Sequence, residues 1–397
     1  MSTRGRGLGV AAATAALATG LAACGSNALG PGSSGAARRG AGGPTKVLSQ
    51  PAKHPKPRAR DIGIAPGVLP PGRLDAITDV AGVRVGQTTI IRGDNVRTGV
   101  TAILPHGGNL FQDKVAGAVY VGNAFGKLAG STQVNELGTI ETPIVLTNTL
   151  AVGTAVDAVV RYTLAQRGNE QVKSVNALVG ETNDGGLNDI RALPVTTADV
   201  QSAIRHASTG PVAEGSVGAG TGTMCFGWKC GIGTSSRKVP GGYVVGVLAQ
   251  TNFGGNLTIA GVPISRSLQP PPAPPAAGGS CMLVVATDAP IDARDLNRVA
   301  ARAIFGLART GSEYSNGSGD YAVAFTTSPE MRSHFGDTSA RARRVLPPDA
   351  MSPFFEAALE ATEEAVYNSL FQATTITSRS GSATAIPISR VRALMRP

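Results

Sequence analysis

The segment "PPPAPPAAGGSCMLVVATDAP", residues 270–290, runs from a proline-rich loop straight into an apolar strand, with Gly278-Gly279-Ser280 at the junction. A linker between domains would leave a gap before the next element, but here the strand pattern starts at Ser280 itself. Serine is a poor nucleophile unless a base removes its proton, and no GxSxG elbow surrounds this one. Another route needs only a break in the chain. If the Gly279–Ser280 bond is cut, Ser280 acquires an α-amine with an ordinary pKa of about 7.7–8.0, suited to general-base work near neutral pH. Nucleophile and base then share one residue. The glycines allow the backbone to strain at this bond, and the proline loop is expected to hold the turn in solvent. The plainer alternative is a Gly-Ser turn before a buried strand.

Outward from this segment the chain alternates short β-type runs with helical patterns. "ITDVAGVRVGQTTI", "TGVTAILP", "GAVYVGNA", "GYVVGVLAQTN", "CMLVVATDA" and "YAVAFTT" (321–327) read as strands with glycine-marked turns. Residues 152–166 read as a helix with Val156, Val159, Val160 and Leu164 on its apolar face. A second helix runs from Asp292 to about Arg309, with Leu296, Val299, Ala303 and Leu307 as its stripe and Gly311 as the terminal cap. A third starts at Ser352-Pro353 and runs to about Ala373, with Phe355, Leu359, Val366 and Leu370 facing inward. Mixed strands and helices around wholly apolar strands predict an α/β fold of two central sheets covered by helices.

The formal charge of +10 is concentrated at one end. Residues 1–60 hold nine Lys or Arg and no acid, which leaves +1 for residues 61–397. A nearly neutral body lacks the basic footprint of nucleic-acid binding. Arg4 and Arg6 precede a short Ala/Gly-rich apolar stretch ending in Leu21-Ala22-Ala23-Cys24, which looks like the lipobox of a bacterial lipoprotein signal peptide. The reading is a signal peptide over 1–23, a lipidated Cys24 and a disordered basic tether over 24–60. The tether is too poor in apolar residues to fold alone and is cationic enough to lie near anionic headgroups. The expected location is the extracytoplasmic side of the cell membrane.

Cys225 and Cys230 stand five apart in "MCFGWKCG" and Cys281 follows Ser280. An exported chain permits a Cys225–Cys230 disulfide, and buried small hydrophobes are the equal alternative. His54, His106, His206 and His334 are scattered, so no metal site is expected. The glycine-rich run 215–237 is neither GxGxxG nor a Walker loop. It reads as close backbone packing or a loop of exposed amides.

The ordered motifs "ITDVAGVRVGQ", "RTGVTAILP", "TPIVLTNTLAVG", "GETNDGGLND", "VGAGTGTMCFGWKCGIGTSSR", "LAQTNFGG", "GGSCMLVVATDAP", "GLARTGSEYSNGSGDYAVAFTT" and "IPISRVRALM" cover residues 60–397. Together they resemble the DmpA-like family of L-aminopeptidase D-esterase/amidases and β-aminopeptidases. The resemblance implies a four-layer α/β/β/α sandwich similar to N-terminal-nucleophile hydrolases, with its own strand connectivity. It implies self-cleavage before a serine into an α chain (61–279 of the folded part) and a β chain (280–397), and homo-oligomers of αβ units. No cofactor is implied, and the substrate is a peptide or aminoacyl amide with a free amino end.

Ser280 matches the family's nucleophile, Gly279–Ser280 the cleaved bond and Asn252 the oxyanion-stabilising residue. Ser318 and Asp320 match the pair near the nucleophile, as a proton relay and as a holder of the Ser280 amine. Asp320 is shorter than the Glu of some relatives. Glu136 matches the anion for the substrate ammonium, with Glu141 second, while Asn148 and Thr149 match cleft residues. Cys230 stands where the resemblance places a glycine, and Leu150 where some relatives carry larger residues. The rival readings are a non-catalytic surface lipoprotein with the same fold, and an acyltransferase of the ornithine acetyltransferase type. The latter uses threonine, so Ser280 counts against it.

Mature protein should therefore resolve into two chains of about 26 and 12 kDa, in proportion to 40.1 kDa for the whole 397 residues. A single chain that stays intact on long incubation, followed by intact mass, contradicts self-cleavage.

Overall fold

Apolar runs of two kinds build two sheets. In chain order the strands are β1 (Arg84–Arg92), β2 (Val96–Leu104), β3 (Asp113–Ala124), β4 (Leu128–Ala129), β5 (Thr139–Ile140), β6 (Ile144–Asn148) and β7 (Leu178–Thr182). They continue with β8 (Met224–Cys225), β9 (Trp228–Lys229), β10 (Ile232–Lys238), β11 (Val244–Asn252), β12 (Ser280–Thr287), β13 (Gly319–Thr326) and β14 (Ser333–His334). The helices used below are α1 (Ser131–Leu137), α2 (Val152–Leu164), α3 (Thr197–Arg205), α4 (Ala293–Arg309) and α5 (Ser352–Phe371). The computed structural model describes residues 56–274 and 278–396. Cys24, the signal segment 1–23 and the tether up to residue 55 lie outside the described residues.

One sheet has the order β1-β2-β6-β7-β4 and the other β10-β11-β12-β13-β3-β14, with β5 on β3. The β8–β9 hairpin stands apart from both. In the second sheet β12 and β13 are parallel, with α4 as the crossover, and β11 and β12 are antiparallel. β12 is buried at every position. Successive residues of a strand face opposite ways, and each face of β12 meets a different layer. Met282 and Val284 join Leu146 and Leu178 of the first sheet in the core between the sheets. Leu283 and Val285 pack with Leu296, Val299 and Ala303 of α4 and with Ala358 and Val366 of α5. Helices α2 and α3 cover the outer face of the first sheet through Ala155, Val159, Val200 and Ala203. The result is the expected α/β/β/α order of four layers.

Local outcomes differ from the sequence reading in instructive ways. The α4 stripe is buried as expected and Asp292 caps it, its side chain accepting from the Asp295 N–H. On α2 the buried face is Ala155, Ala158, Val159 and Thr163, while Leu164 is 41% exposed. Small residues let this helix lie close to its sheet, so the face turns away from the larger residues that mark the periodicity. On α5 Val366 and Leu370 are buried but Phe355 and Leu359 only half so, and Phe354 takes the inner place. Its polar residues are buried too, because Arg237, fully buried on β10, pairs with Glu360 at 3.0 Å and Glu364 at 2.7 Å.

The tether also ends earlier than expected. Residues 56–60 are docked on the folded body: Ala59 is fully buried, Arg58 pairs with Asp75 and Glu214, and Arg60 pairs with Glu364. Their cationic character serves acidic partners within the fold. Composition alone suggested a tail.

Candidate active site

The register of three strands assembles the site. Ser280 is the first residue of β12, directly opposite Asn252, the last residue of β11, and opposite Gly319, the first residue of β13. β13 starts two residues before the apolar run that marks it in the sequence, and so it includes Asp320. Gly279 and Ser280 are buried while Gly278 is exposed. The expectation of a solvent-held turn is therefore corrected: the Gly279–Ser280 bond lies inside, where a hydroxyl of the same chain reaches it. The Ser280 hydroxyl donates to the Gly279 carbonyl oxygen at 2.5 Å. The Gly319 N–H points at both, 3.3 Å from the Gly279 oxygen and 3.4 Å from Ser280 Oγ. That N–H stands where charge would develop on the carbonyl if Oγ attacked its carbon.

Asn252 is held at both ends of its amide. Its Oδ1 accepts from the Met224 N–H at 3.1 Å, and its Nδ2 donates to the Asn183 carbonyl at 3.0 Å. An amide nitrogen carries two donors, so one remains for a further acceptor. Two residues earlier, Gln250 bonds Thr147 O, Thr182 Oγ1 and Ala219 O, tying β11 to the first sheet beside the site.

Ser318 lies against Gly279, and Asp320 sits opposite Cys281 on β13. Cys281, the register partner of Asp320, and Ala322 point into the helix-covered layer, whereas Met282 and Tyr321 point between the sheets. By strand alternation Asp320 lies on the Cys281 side and Ser280 Oγ on the opposite side. A Cβ placed on Gly279 would stand 3.0 Å from Ser318 Oγ, so that hydroxyl is against the scissile residue. Ser318 Oγ and both Asp320 carboxylate oxygens are buried without a hydrogen bond of ordinary geometry among the described residues. Burial pushes the Asp320 carboxyl up to about 6, against the opposing pull of the nearby Ser318 hydroxyl. A buried carboxylate with no cation is costly.

The remaining assigned residues divide. Asn148 is buried and caps the turn after β6, accepting from the Leu150 and Ala151 N–H groups and donating to Thr98 Oγ1. Thr149 donates its hydroxyl to Glu181 Oε2. Glu141 is committed to Lys114 at 2.5 Å and to Asn176. Glu136 is exposed on α1, and none of its described contacts ties it to Ser280, Asn252, Asn148 or Thr149.

Glu181 on β7 was not singled out in the sequence and stands close to Gly319, the strand partner of Ser280. A Cβ on Gly126 would be 3.1 Å from Glu181 Oε1 and 3.2 Å from the Cα of Gly319, the Ser280 partner. Glu181 also accepts from the Lys127 N–H at 3.0 Å, and the half-exposed Lys127 ammonium lies 3.7 Å away, so a cation already reaches this carboxylate from solvent. Burial holds its pKa above the ordinary value against the pull of Lys127. The signal was present: one glutamate interrupts the apolar strand "ALVGET".

Residues 75–384 match the model of Peptidase family S58. The chain is 40% identical over 387 residues to the β-peptidyl aminopeptidase BapA of Sphingosinicella microcystinivorans, covering 88% of this chain and 94% of that protein. Among solved structures it is similar to a β-aminopeptidase of a Burkholderia species, with a TM-score of 0.81 and 39% identity over 86% of this chain and 100% of that one. It is also similar to the L-aminopeptidase D-Ala-esterase/amidase of Ochrobactrum anthropi, with a TM-score of 0.79 and 36% identity over 86% and 98% of the two chains. That structure is described as a prototype for serine aminopeptidases and a variant of the Ntn hydrolase fold.

The orphan carboxylate makes a prediction for uncut protein. A carboxyl raised from 3.8 to about 6 on folding binds protons more tightly in the native state, so stability falls as pH rises between those values. In the Ser280→Ala background, denaturant unfolding should lose stability across pH 4–6 by about 3 kcal/mol at most. Adding Asp320→Asn should remove that component. An unchanged pH profile after Asp320→Asn would mean the carboxyl is not buried without a partner.

Proposed function

Because this chain belongs to peptidase family S58 and is a serine aminopeptidase with the N-terminal-nucleophile hydrolase fold, we propose that it cleaves itself at Gly279–Ser280 and then releases amino-terminal residues from short peptides and amides. The observation that carries this reading is the Ser280 hydroxyl, 2.5 Å from the Gly279 carbonyl oxygen at the head of a buried strand. In the uncut chain Ser280 has an amide nitrogen, which is no base, so its hydroxyl proton passes to a neighbour; Ser318 lies against the bond. Oγ attacks the Gly279 carbonyl carbon, with the Gly319 N–H facing the developing oxyanion. The C–N bond breaks, the proton ends on nitrogen, and the chain is joined through an ester. Water hydrolyses that ester, which leaves the Gly279 carboxylate and a free Ser280 amine.

In turnover the Ser280 amine takes the Oγ proton and Oγ attacks the substrate carbonyl. The free Nδ2 hydrogen of Asn252 stabilises the oxyanion, and the amine's proton passes to the leaving nitrogen. Water then releases the acyl group. Glu181 binds the substrate ammonium, oriented by Thr149, and Asp320 holds the Ser280 amine between turnovers. The β-aminopeptidase relatives favour β-aminoacyl peptides as the preferred class, with L-aminoacyl amides as the second reading, supported by the Ochrobactrum relative.

Export, lipid attachment at Cys24, the extracytoplasmic location and assembly into homo-oligomers of αβ units belong to the same proposal. They rest on the N-terminal motif and the family resemblance. Cys24→Ser should move activity to the soluble export fraction at an unchanged rate. Retention at the membrane contradicts the lipid anchor.

Ser280→Ala should remain one chain and be inactive; a cut at 279–280, or hydrolysis of an aminoacyl p-nitroanilide, overturns the role of this residue. Asn252→Ala should lose about 10²–10³ in kcat. Glu181→Gln should lose about 10–100-fold in kcat/KM, mostly through KM, because a hydrogen bond to a charged group is worth about 1.5–3 kcal/mol. A panel of α- and β-aminoacyl p-nitroanilides alongside N-blocked esters checks it. Equal loss on the N-blocked esters would contradict an ammonium contact.

A further inference from the structure

Asn252 owes its orientation to a very small element. Strands β8 and β9 contribute two residues each and pair Met224 with Lys229 and Cys225 with Trp228. The Met224 N–H holds Asn252 Oδ1, and the Phe226 N–H donates to Phe253 O at 2.9 Å, where the two rings meet edge to face at 5.0 Å. Because Oδ1 is engaged there and one Nδ2 hydrogen is engaged by Asn183, the remaining hydrogen is fixed as a donor. If the amide turned over, its oxygen would face the developing negative charge.

This hairpin cannot hold itself. Its turn residues, Phe226 and Gly227, have φ of 53° and 79°, and the left-handed conformation is disfavoured for a residue that carries a side chain, as Phe226 does. An isolated two-stranded hairpin is marginal even at greater length. Three features offset this. Lys229 is fully buried, its ammonium donating to the Gly220 carbonyl at 2.9 Å and to the Cys230 carbonyl. Its backbone N–H bonds Thr384 O at 2.8 Å. The third is covalent: Cys225 and Cys230 are joined as a disulfide across the turn, which settles the pairing that spacing left open. Both cysteines are fully buried, and Cys281, beside the nucleophile, is the free thiol among the described residues.

We propose that the Cys225–Cys230 disulfide is a positioning element of the reaction, locking the hairpin whose Met224 N–H sets the Asn252 amide as oxyanion donor. The inference rests on the reading of Asn252 given above. Trp228, the single tryptophan of the chain, lies inside the disulfide loop and is 4% exposed, so its emission reports the order of the hairpin.

The test compares wild type, Cys225→Ala/Cys230→Ala, Asn252→Ala and the triple variant, with rates normalised to the amount of free Ser280 chain. The cysteine pair should lose about tenfold or more in kcat with KM within about twofold, and its Trp228 emission should shift to the red. The triple variant should be no slower than Asn252→Ala alone, because both changes act through one group. If the alanine pair yields no folded protein, a dithiol acting on processed wild type supplies the same comparison. The S–S bond takes two electrons and two protons from the dithiol to give two thiols, and the reagent closes to its cyclic disulfide. Unchanged kcat with both thiols free overturns the inference, as does a loss that multiplies with that of Asn252→Ala. Full activity of Asn252→Ala with the disulfide intact removes the oxyanion reading itself.

Discussion

If the chain is cut before Ser280 as proposed, β12 must be held by its neighbours alone, and it is held on both edges and both faces. Its antiparallel ladder to β11 and parallel ladder to β13 run the whole length from Ser280 to Thr287. Burying each Val, Leu or Met side chain contributes about 1.5–3 kcal/mol, and those of Met282, Leu283, Val284 and Val285 are split between two separate cores. A cut before Ser280 therefore leaves the new chain end where it was, opposite Asn252 and Gly319. The precision of the site is the precision of this register. A slip of one residue would carry the hydroxyl to the wrong face of the sheet.

Charge is arranged around that fixed point with little solvent to dilute it. Asp320 sits on the helix side of the sheet beside the Ser318 hydroxyl, with no cation paired to it among the described residues, while Glu181 reaches the other side from the first sheet. Beside the partners of Asn252, burial raises Asp184 and lowers Lys229, both to about 7. The freed Ser280 ammonium on one side and a substrate ammonium on the other are the two charges the account supplies.

Much of this was legible in the sequence, for identifiable reasons. A doubly buried strand reads as an unbroken apolar run, so "CMLVVATDA" announced the central strand of the sheet. The 3.6-residue period of α4 was clean because arginines dominate its outer face, with Phe305 the large apolar exception. What stayed hidden depended on packing against distant residues. The α2 face turned toward its alanines because close approach to a sheet rewards small side chains. Residues 56–60 looked like tail because their acidic partners Asp75, Glu214 and Glu364 are far along the chain. Glu181 went unnoticed for the same reason, since only the fold brings β7 beside Gly319. The side of the sheet on which Asp320 lies could be read only once β13 was seen to begin at Gly319.

The central claim is that one residue, Ser280, carries both the nucleophile and the base once its peptide bond is gone. Acid-quenching the processed enzyme during turnover of a slowly deacylating aminoacyl ester, then mapping peptides by mass, tests it directly. The account predicts the acyl mass on the peptide that begins with Ser280, with its α-amine still free to react with an amine-specific reagent. An acyl group on any other residue, or on a chain still joined at Gly279–Ser280, would contradict it.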